Sequence, residues 1–566
     1  MHFRSTPLLC LGISTVAAGT VGAQELSIAL RENDFVFNVA AEIERVDKLA
    51  ITDAGLLFTE CQLSLPSTRD TTLLLNGFYS LGEGVPLAQP AGTEINSFLD
   101  LDVNESGFLG WPLDFDGGDT TNSSDTGIFW NTLLMAREGD AVAATDYRGE
   151  PLPLASIYSR FNVAKINNRN SILFSGQYNA TGASNLSVLS LLRTDGAGTL
   201  VEEQVLYLEG LDFPGTTDAV TTVNTSTDSI ALANDDSFMA QLKIGSNAAA
   251  DSVIVIDDEI LAREGSVTPL PPDPISGEPR VYTDLGGSKV DLNDFGDYVF
   301  TGFANGDTNS NAFLVVNGEV YLQEGENLPA FGNETLDRFD SAGVDIANSG
   351  DVYWYARTDG SSSNIYLLRN RETILNVDES VVSGDAITGL LTLQYAYYVS
   401  DSGRFWIAEA RGGNGDDIVV LADFGTSYPL HGCGSNPGSL SKVSGEARVG
   451  EDLTLTMDGE QAADAVPMLF FSLGSGRPGN LRDTQQCGLQ RPFGEIMISL
   501  AASDLVAREV APIGDGSPVT WDLTIPNDSS LVGMQIYSQG VYFDAAGTSG
   551  TPFQLTNGFY IEVGAP

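Results

Sequence analysis

The residues that could do chemistry in this chain are almost all carboxylates. There are two histidines, His2 and His431, and only His431 lies beyond the first 23 residues. A Ser-His-Asp triad would rest on that one residue, and a multi-histidine metal site cannot be assembled. No residue is assigned a catalytic role. Asp114-Phe-Asp116-Gly-Gly-Asp119 places three acids close together in what reads as an interstrand loop. That makes Asp114, Asp116 and Asp119 calcium candidates, with a solvated acidic loop as the plainer reading. Asp100-Leu-Asp102-Val-Asn104 begins like a calcium loop, but its glycine falls at position 8 and Trp111 stands where a glutamate is needed. Calcium is therefore the one cofactor left open.

The charge balance excludes whole classes of partner. The chain has 27 Lys+Arg against 76 Asp+Glu. Residues 1–23 read as a secretory signal peptide, with Arg4, an apolar run from Pro7 to Thr20 and the small residues Val21-Gly22-Ala23. Its removal leaves 26 cations against 76 acids, a formal charge of −50. Nucleic acid needs clustered Lys and Arg, so it is not an expected partner. No later stretch reaches the ~18 apolar residues of a membrane span, so membrane insertion is not expected either.

The elements that must position these acids repeat. A four-residue pattern recurs as Thr52-Asp53-Ala54-Gly55, Asn104-Glu105-Ser106-Gly107, Asn167-Asn168-Arg169-Asn170 and Ala233-Asn234-Asp235-Asp236. It returns as Asn293-Asp294-Phe295-Gly296, Ala347-Asn348-Ser349-Gly350 and Ser400-Asp401-Ser402-Gly403. The fourth position is Gly, Asn or Asp, the types that best tolerate positive φ, so each copy reads as a tight hairpin. Successive copies lie 52, 63, 66, 60, 54 and 53 residues apart, giving seven units.

A second series closes the units: Glu83, Glu138, Glu209, Glu264, Glu324 and Asp378, mostly before glycine. Four of these six lie 28 residues after their hairpin. With Glu32 they could ring one face and collect cations, or simply cap turns; Arg31, Arg137 and Arg263 directly precede three of them. Asn76-Gly77 and Asn317-Gly318 mark a further two-residue turn. In unit five the pattern predicts strands at 288–292, 297–304, 312–316 and 319–323.

Seven four-stranded meanders, apolar on both faces, predict an all-β, seven-bladed β-propeller over residues 24–425. The seventh unit lacks its closing strand. Leu26-Ser-Ile-Ala-Leu-Arg-Glu32 precedes any hairpin and matches Thr132-Leu-Leu-Met-Ala-Arg-Glu138. The prediction is that residues 26–31 pair antiparallel with 417–422 and close the ring.

Asn293-Asp-Phe-Gly296-Asp-Tyr-Val299-Phe300 resembles the signature of bacterial secreted tandem-repeat proteins named for NxxGxxAF, with Val299 in place of the alanine. Asn104-Glu-Ser-Gly107 keeps its Asn and Gly. The resemblance implies a secreted or surface repeat protein and carries over no catalytic residue.

Residues 426–432 read as a linker, and 433–566 as a C-terminal β-sandwich with strands near 452–457, 468–472, 495–500, 519–524, 534–537 and 558–563. The stretch Ile525-Pro526-Asn527 with Leu531 to Gln539 is similar to a C-terminal module of secreted planctomycete-type proteins, which implies an accessory role. Cys433 and Cys487 are expected to form a disulfide in an oxidising compartment, worth roughly 4 kcal/mol in chain entropy. Cys61 reads as a buried thiol.

The functional expectation is a secreted or cell-surface, monomeric, non-enzymatic protein that binds a glycan or protein ligand. The alternative is a propeller glycosidase, since such enzymes work with carboxylates alone. The Asp-box repeat of propeller sialidases is absent, because Val399 and Ile51 stand where serine is required.

Overall fold

The computed structural model describes residues 26–565, apart from 119, 122–123, 144, 154–155, 196–197, 274–275, 361–363, 378, 392–396, 431–435, 460–464, 475–487, 492–493, 502–503, 512–516 and 544–552. Among the described residues the chain is all-β. Its helical elements are three single 3-10 turns, at Thr227–Ser229, Pro329–Phe331 and Ser529–Leu531. No helix is long and apolar enough to cross a membrane.

Residues 26–423 form seven antiparallel sheets. In the fifth, Val290–Leu292 is innermost, followed by Tyr298–Ala304, Ala312–Val316 and Glu319–Gln323. These agree with the expected strands, the last two to the residue. The hairpin reading holds in all seven units: Gly55, Gly107, Asn170, Asp236, Gly296, Gly350 and Gly403 have φ between 63° and 82°.

The seventh sheet takes its outer strand from the other end of the chain. Leu26–Arg31 pairs antiparallel with Asp417–Asp423, Leu26 opposite Ala422 and Arg31 opposite Ile418. Apolar clusters then fill every gap between consecutive sheets. Phe58 packs with Trp111, Trp130 with Phe174, Leu173 with Phe238, and Met239 with Phe313. Leu314 packs with Trp354 and Tyr355 with Trp406, and the last gap joins Ile407 to Leu49 of the first sheet. The result is a closed, propeller-like ring in which each sheet buries both faces. Cys61 lies fully buried in that last gap.

The segment expected as a linker is a strand over Thr426–Leu430. It pairs with Phe553–Glu562 at the edge of a five-stranded sheet. The strand buries Thr426, Ser427, Tyr428 and Leu430, and Pro429 is tolerated because an edge strand can do without its N–H. A second sheet joins Ser439–Gly445, Asp452–Asp458 and Val519–Thr524. The strand expected at 495–500 is shorter, Gly494–Ile496. Cys433, Cys487 and His431 lie outside the described residues, so the expected disulfide does too.

The C-terminal sheets dock on the hairpin side of the ring. Arg404 beside the seventh hairpin pairs with Glu562 and with Asp423, Arg369 reaches Glu446 at 3.0 Å, and Phe295 stacks toward Tyr428.

Candidate functional site: the central chamber

Each hairpin does more than turn the chain. Its second residue donates its main-chain N–H to the equivalent residue of the next unit. Asp53 donates to Glu105 Oε2 at 2.6 Å, Glu105 to Asn168 Oδ1 at 2.8 Å, and Asn168 to Asn234 Oδ1 at 2.7 Å. Asn234 donates to Asp294 Oδ1 at 2.8 Å and Asp294 to Asn348 Oδ1 at 2.9 Å. Asn348 then donates to the Asp401 carbonyl at 2.7 Å, and Ser402 N–H closes the circle on Asp53 Oδ1 at 3.1 Å. Where the first hairpin residue is Asn, its carboxamide links units as well: Asn104, Asn167 and Asn293 donate to the main-chain carbonyls of Asn167, Ala233 and Ala347. Across the axis, Asn168 Nδ2 donates to Asp401 Oδ2 at 3.2 Å.

Above this floor lies a chamber of about 140 Å³, walled by the inner strands. The position two residues before each hairpin is Ala50, Asp102, Lys165, Ala231, Asp291, Asp345 and Tyr398. Asp102 accepts from the Ile166 N–H at 2.7 Å and the Tyr398 hydroxyl at 3.0 Å, and it lies 3.6 Å from Lys165 Nζ. Asp291 accepts from the Ile346 N–H at 2.8 Å. Asp228, further along the wall, is paired with Lys289 at 2.8 Å.

Burial raises the carboxyl pKa values in this chamber. Asp291 is pushed up to about 6 by burial, against the pull of the Ile346 N–H. Asp345 is pushed up to about 8 by burial and by the neighbouring Asp291 charge. Asp401 on the floor is also raised, by burial and by Asp294 and Asp53. Burial disfavours the Lys165 charge, but Asp102 and Asp100 outweigh it and the lysine stays protonated. The chamber thus keeps one internal cation and holds protons on carboxyls that would otherwise be ionised at neutral pH.

The sequence-derived candidates lie elsewhere. Asp114 and Asp116 sit on the strand Gly110–Gly117 rather than in a loop, because the second strand of that sheet runs on through them. Asp114 accepts from Asn96 Nδ2 at 2.8 Å, Asp116 is exposed, and Asp119 lies outside the described residues. The Asp100–Asn104 segment is inner strand and hairpin: Asp100 and Asp102 accept from the Ala164 and Ile166 N–H groups of the next unit. Among the described residues, no group of three or more His, Cys, Asp or Glu side chains stands close enough to hold a metal ion.

Among the described residues, none of the repeated acids lines the central chamber. They serve their own sheets by accepting N–H groups on the third strand or at its start: Glu32 from Asp417, Glu83 from Thr71, Glu209 from Ser187, and Glu324 from Asn311 and Ala312. Glu138 accepts instead from the Thr126 hydroxyl. Asp378 lies outside the described residues. Asp291 and Asp345 were missed in the sequence because the residue at their position varies in type from unit to unit. Their fixed offset of two residues before the hairpin was the available signal.

No family model matches the chain, and no curated protein matches it. Among solved structures, TolB from Acinetobacter baumannii is similar over 67% of this chain and 78% of its own, at 10% identity and a TM-score of 0.26. A GH43 glycoside hydrolase engineered to show endo-xylanase and exo-arabinofuranosidase activity matches over 83% of this chain and 96% of its own, at 10% identity and 0.20. A tetra-tandem repeat from the extending region of a large adhesion protein matches over 82% and 99%, at 13% identity and 0.13. Likenesses this slight carry no argument about function.

Proposed function

We propose that this is an exported, seven-bladed β-propeller with a C-terminal β-sandwich, and that it binds a macromolecular ligand on its outer surface without catalysing a reaction. The observation that carries this reading is the size of the central chamber. Sites for organic ligands occupy roughly 300–1,000 Å³, and this one offers about 140 Å³. A glycosidase must seat a sugar ring between two carboxyl groups, and the chamber reaches less than half of the lower end of that range. The floor carboxylates are also committed to holding neighbouring units together. Export is supported by the signal-like segment 1–23 and by the excess of acids over cations.

A glycan array, run with and without calcium, tests the binding reading; saturable binding to one glycan class supports it. A second reading, carboxylate-based glycan cleavage, is favoured by one observation. Burial raises both Asp291 and Asp345 on consecutive inner strands, and the Asp291 charge raises Asp345 further, so one carboxyl holds its proton more firmly than the other, as in an acid–base pair. A panel of aryl glycosides tests that reading. Turnover that disappears in both Asp291→Asn and Asp345→Asn would overturn the non-enzymatic assignment.

A further inference from the structure

The outer edge of the first unit differs from that of its relatives around the ring. The outer strands of the fourth, fifth and sixth units open on an exposed glutamate, Glu259, Glu319 and Glu372. Charge at such a place keeps a sheet edge from pairing with other chains. The first unit opens its outer strand, Phe78–Gly82, on Phe78 instead, and that side chain is 61% exposed. The turn that follows the ring-closing strand is drawn onto the same edge. Asn38 Nδ2 donates to the Tyr79 carbonyl at 3.0 Å, and Asn38 Oδ1 accepts the Tyr79 N–H at 3.1 Å. Phe37 and Phe78 each precede one partner of this clamp, so both flank it. Phe37 is 81% exposed and stands edge to face with Phe35, itself 47% exposed, at a ring separation of 5.2 Å. Apolar surface gathered in this way on a folded protein marks a binding site.

We propose that this edge is a platform for a neutral oligosaccharide, whose sugar rings lay their C–H faces on Phe35, Phe37 and Phe78. The inference rests on the reading of an outer-surface ligand given above and names the ligand's class and place. The face of an aromatic ring is electron-rich, and the C–H bonds of a sugar present weakly positive hydrogens to it. Glu42 lies opposite Phe35 in the ladder and on the same face, and both Glu42 and Glu44 are exposed. Their carboxylates accept the hydroxyl protons at the rim of a stacked sugar. Charge argues against other occupants. The chain carries a formal −49, and the two cations of residues 31–45, Arg31 and Arg45, are already paired with Asp385 and Asp47. A second copy of the chain, or an anionic glycan, would bring like charge to an acidic rim. A basic polypeptide finds carboxylates over the whole of this surface, whereas the feature peculiar to this edge is its aromatic rings.

The test is an array of neutral, sialylated and sulfated oligosaccharides, probed with the full-length protein and with Phe37→Ser, Phe78→Ser and Val267→Ser. Val267, 65% exposed, holds the place in the fifth unit that Phe35 holds in the first, and it serves as the control. All three sites are exposed, so the melting temperature should not change. The parent should bind neutral oligosaccharides saturably. The half-saturating concentration should rise at least tenfold in Phe37→Ser and by a smaller factor in Phe78→Ser, and Val267→Ser should bind as the parent does. Saturable glycan binding that is undiminished in both phenylalanine variants would overturn this platform and leave the outer-surface reading standing. Binding confined to the sialylated or sulfated glycans would overturn it as well. Absence of binding to every glycan would overturn both. A dimer of the parent in size-exclusion chromatography that Phe37→Ser disperses would assign the edge to a second copy, and binding of poly-lysine lost in Phe37→Ser would assign it to a basic polypeptide; either result overturns the proposal.

Discussion

The Glu32 carboxylate accepts the Asp417 main-chain N–H at 3.0 Å, joining two residues 385 positions apart in the chain. This is the contact that Glu324 makes with Asn311 and Ala312 inside a single unit. The N-terminal strand therefore replaces the missing outer strand of the seventh unit together with its capping acid. Deleting residues 24–34 should expose the Asp417–Asp423 edge and drive self-association, seen as higher-order species in size-exclusion chromatography. Glu32→Ala should cost less, on the order of 1–3 kcal/mol in urea unfolding, with the protein still monomeric.

The hairpin ring predicts that its carboxamides are structural. Asn348 accepts the Asp294 N–H and donates to Asp294 Oδ2 at 2.7 Å. Asn348→Ala leaves a buried N–H and a buried carboxylate each short of one partner. A loss of about 2–4 kcal/mol in denaturant unfolding is expected. Substituting Ser106, exposed in the second hairpin, should change stability by less than about 0.5 kcal/mol.

Stability should fall as the solution becomes alkaline. Burial raises Glu60 to about 7 and Glu409 to about 8, beside Asp291 at about 6 and Asp345 at about 8. The native state then holds protons that the unfolded chain releases near pH 4. The stability these groups contribute is complete below about pH 4 and is lost as pH rises through 6 to 8. In chelator-washed protein the melting temperature should be higher at pH 5.5 than at pH 8.5, and Asp345→Asn should narrow that difference.

Lys165→Met should be more harmful at pH 8.5 than at pH 5.5. The variant removes the partly exposed cation that faces Asp102 at 3.6 Å and leaves Asp102 buried without it. At high pH the remaining acids repel one another, and a loss of about 3–5 kcal/mol is expected. At low pH protonation relieves part of it. Thermal unfolding of parent and variant at the two pH values measures the difference.

Much of the ring was legible in the sequence because hairpins demand special residues. Gly296 and Asp236 occupy positive φ, and few residue types do so without strain. The pairing of 26–31 with 417–422 was legible because an orphan strand matched a missing one. The chamber was not, because no single residue type is required two positions before a hairpin: Asp291, Lys165 and Tyr398 all serve. The strand at Thr426–Leu430 was obscured by Pro429, which marks a break unless the strand is known to lie at an edge. Asp114 and Asp116 suggested a metal because carboxylates two apart also arise by plain alternation along a strand.

The Asn168–Asp401 bond across the axis has a consequence for traffic. A propeller's central passage is often pictured as a tunnel, but here a strut spans it at the hairpin end, and the C-terminal sheets dock on that same side. The hairpin end is therefore the narrowed end of the passage. Exchange of the chamber with solvent should be faster through the opposite mouth, and a substitution there would change how fast the chamber fills without changing how tightly it holds its contents.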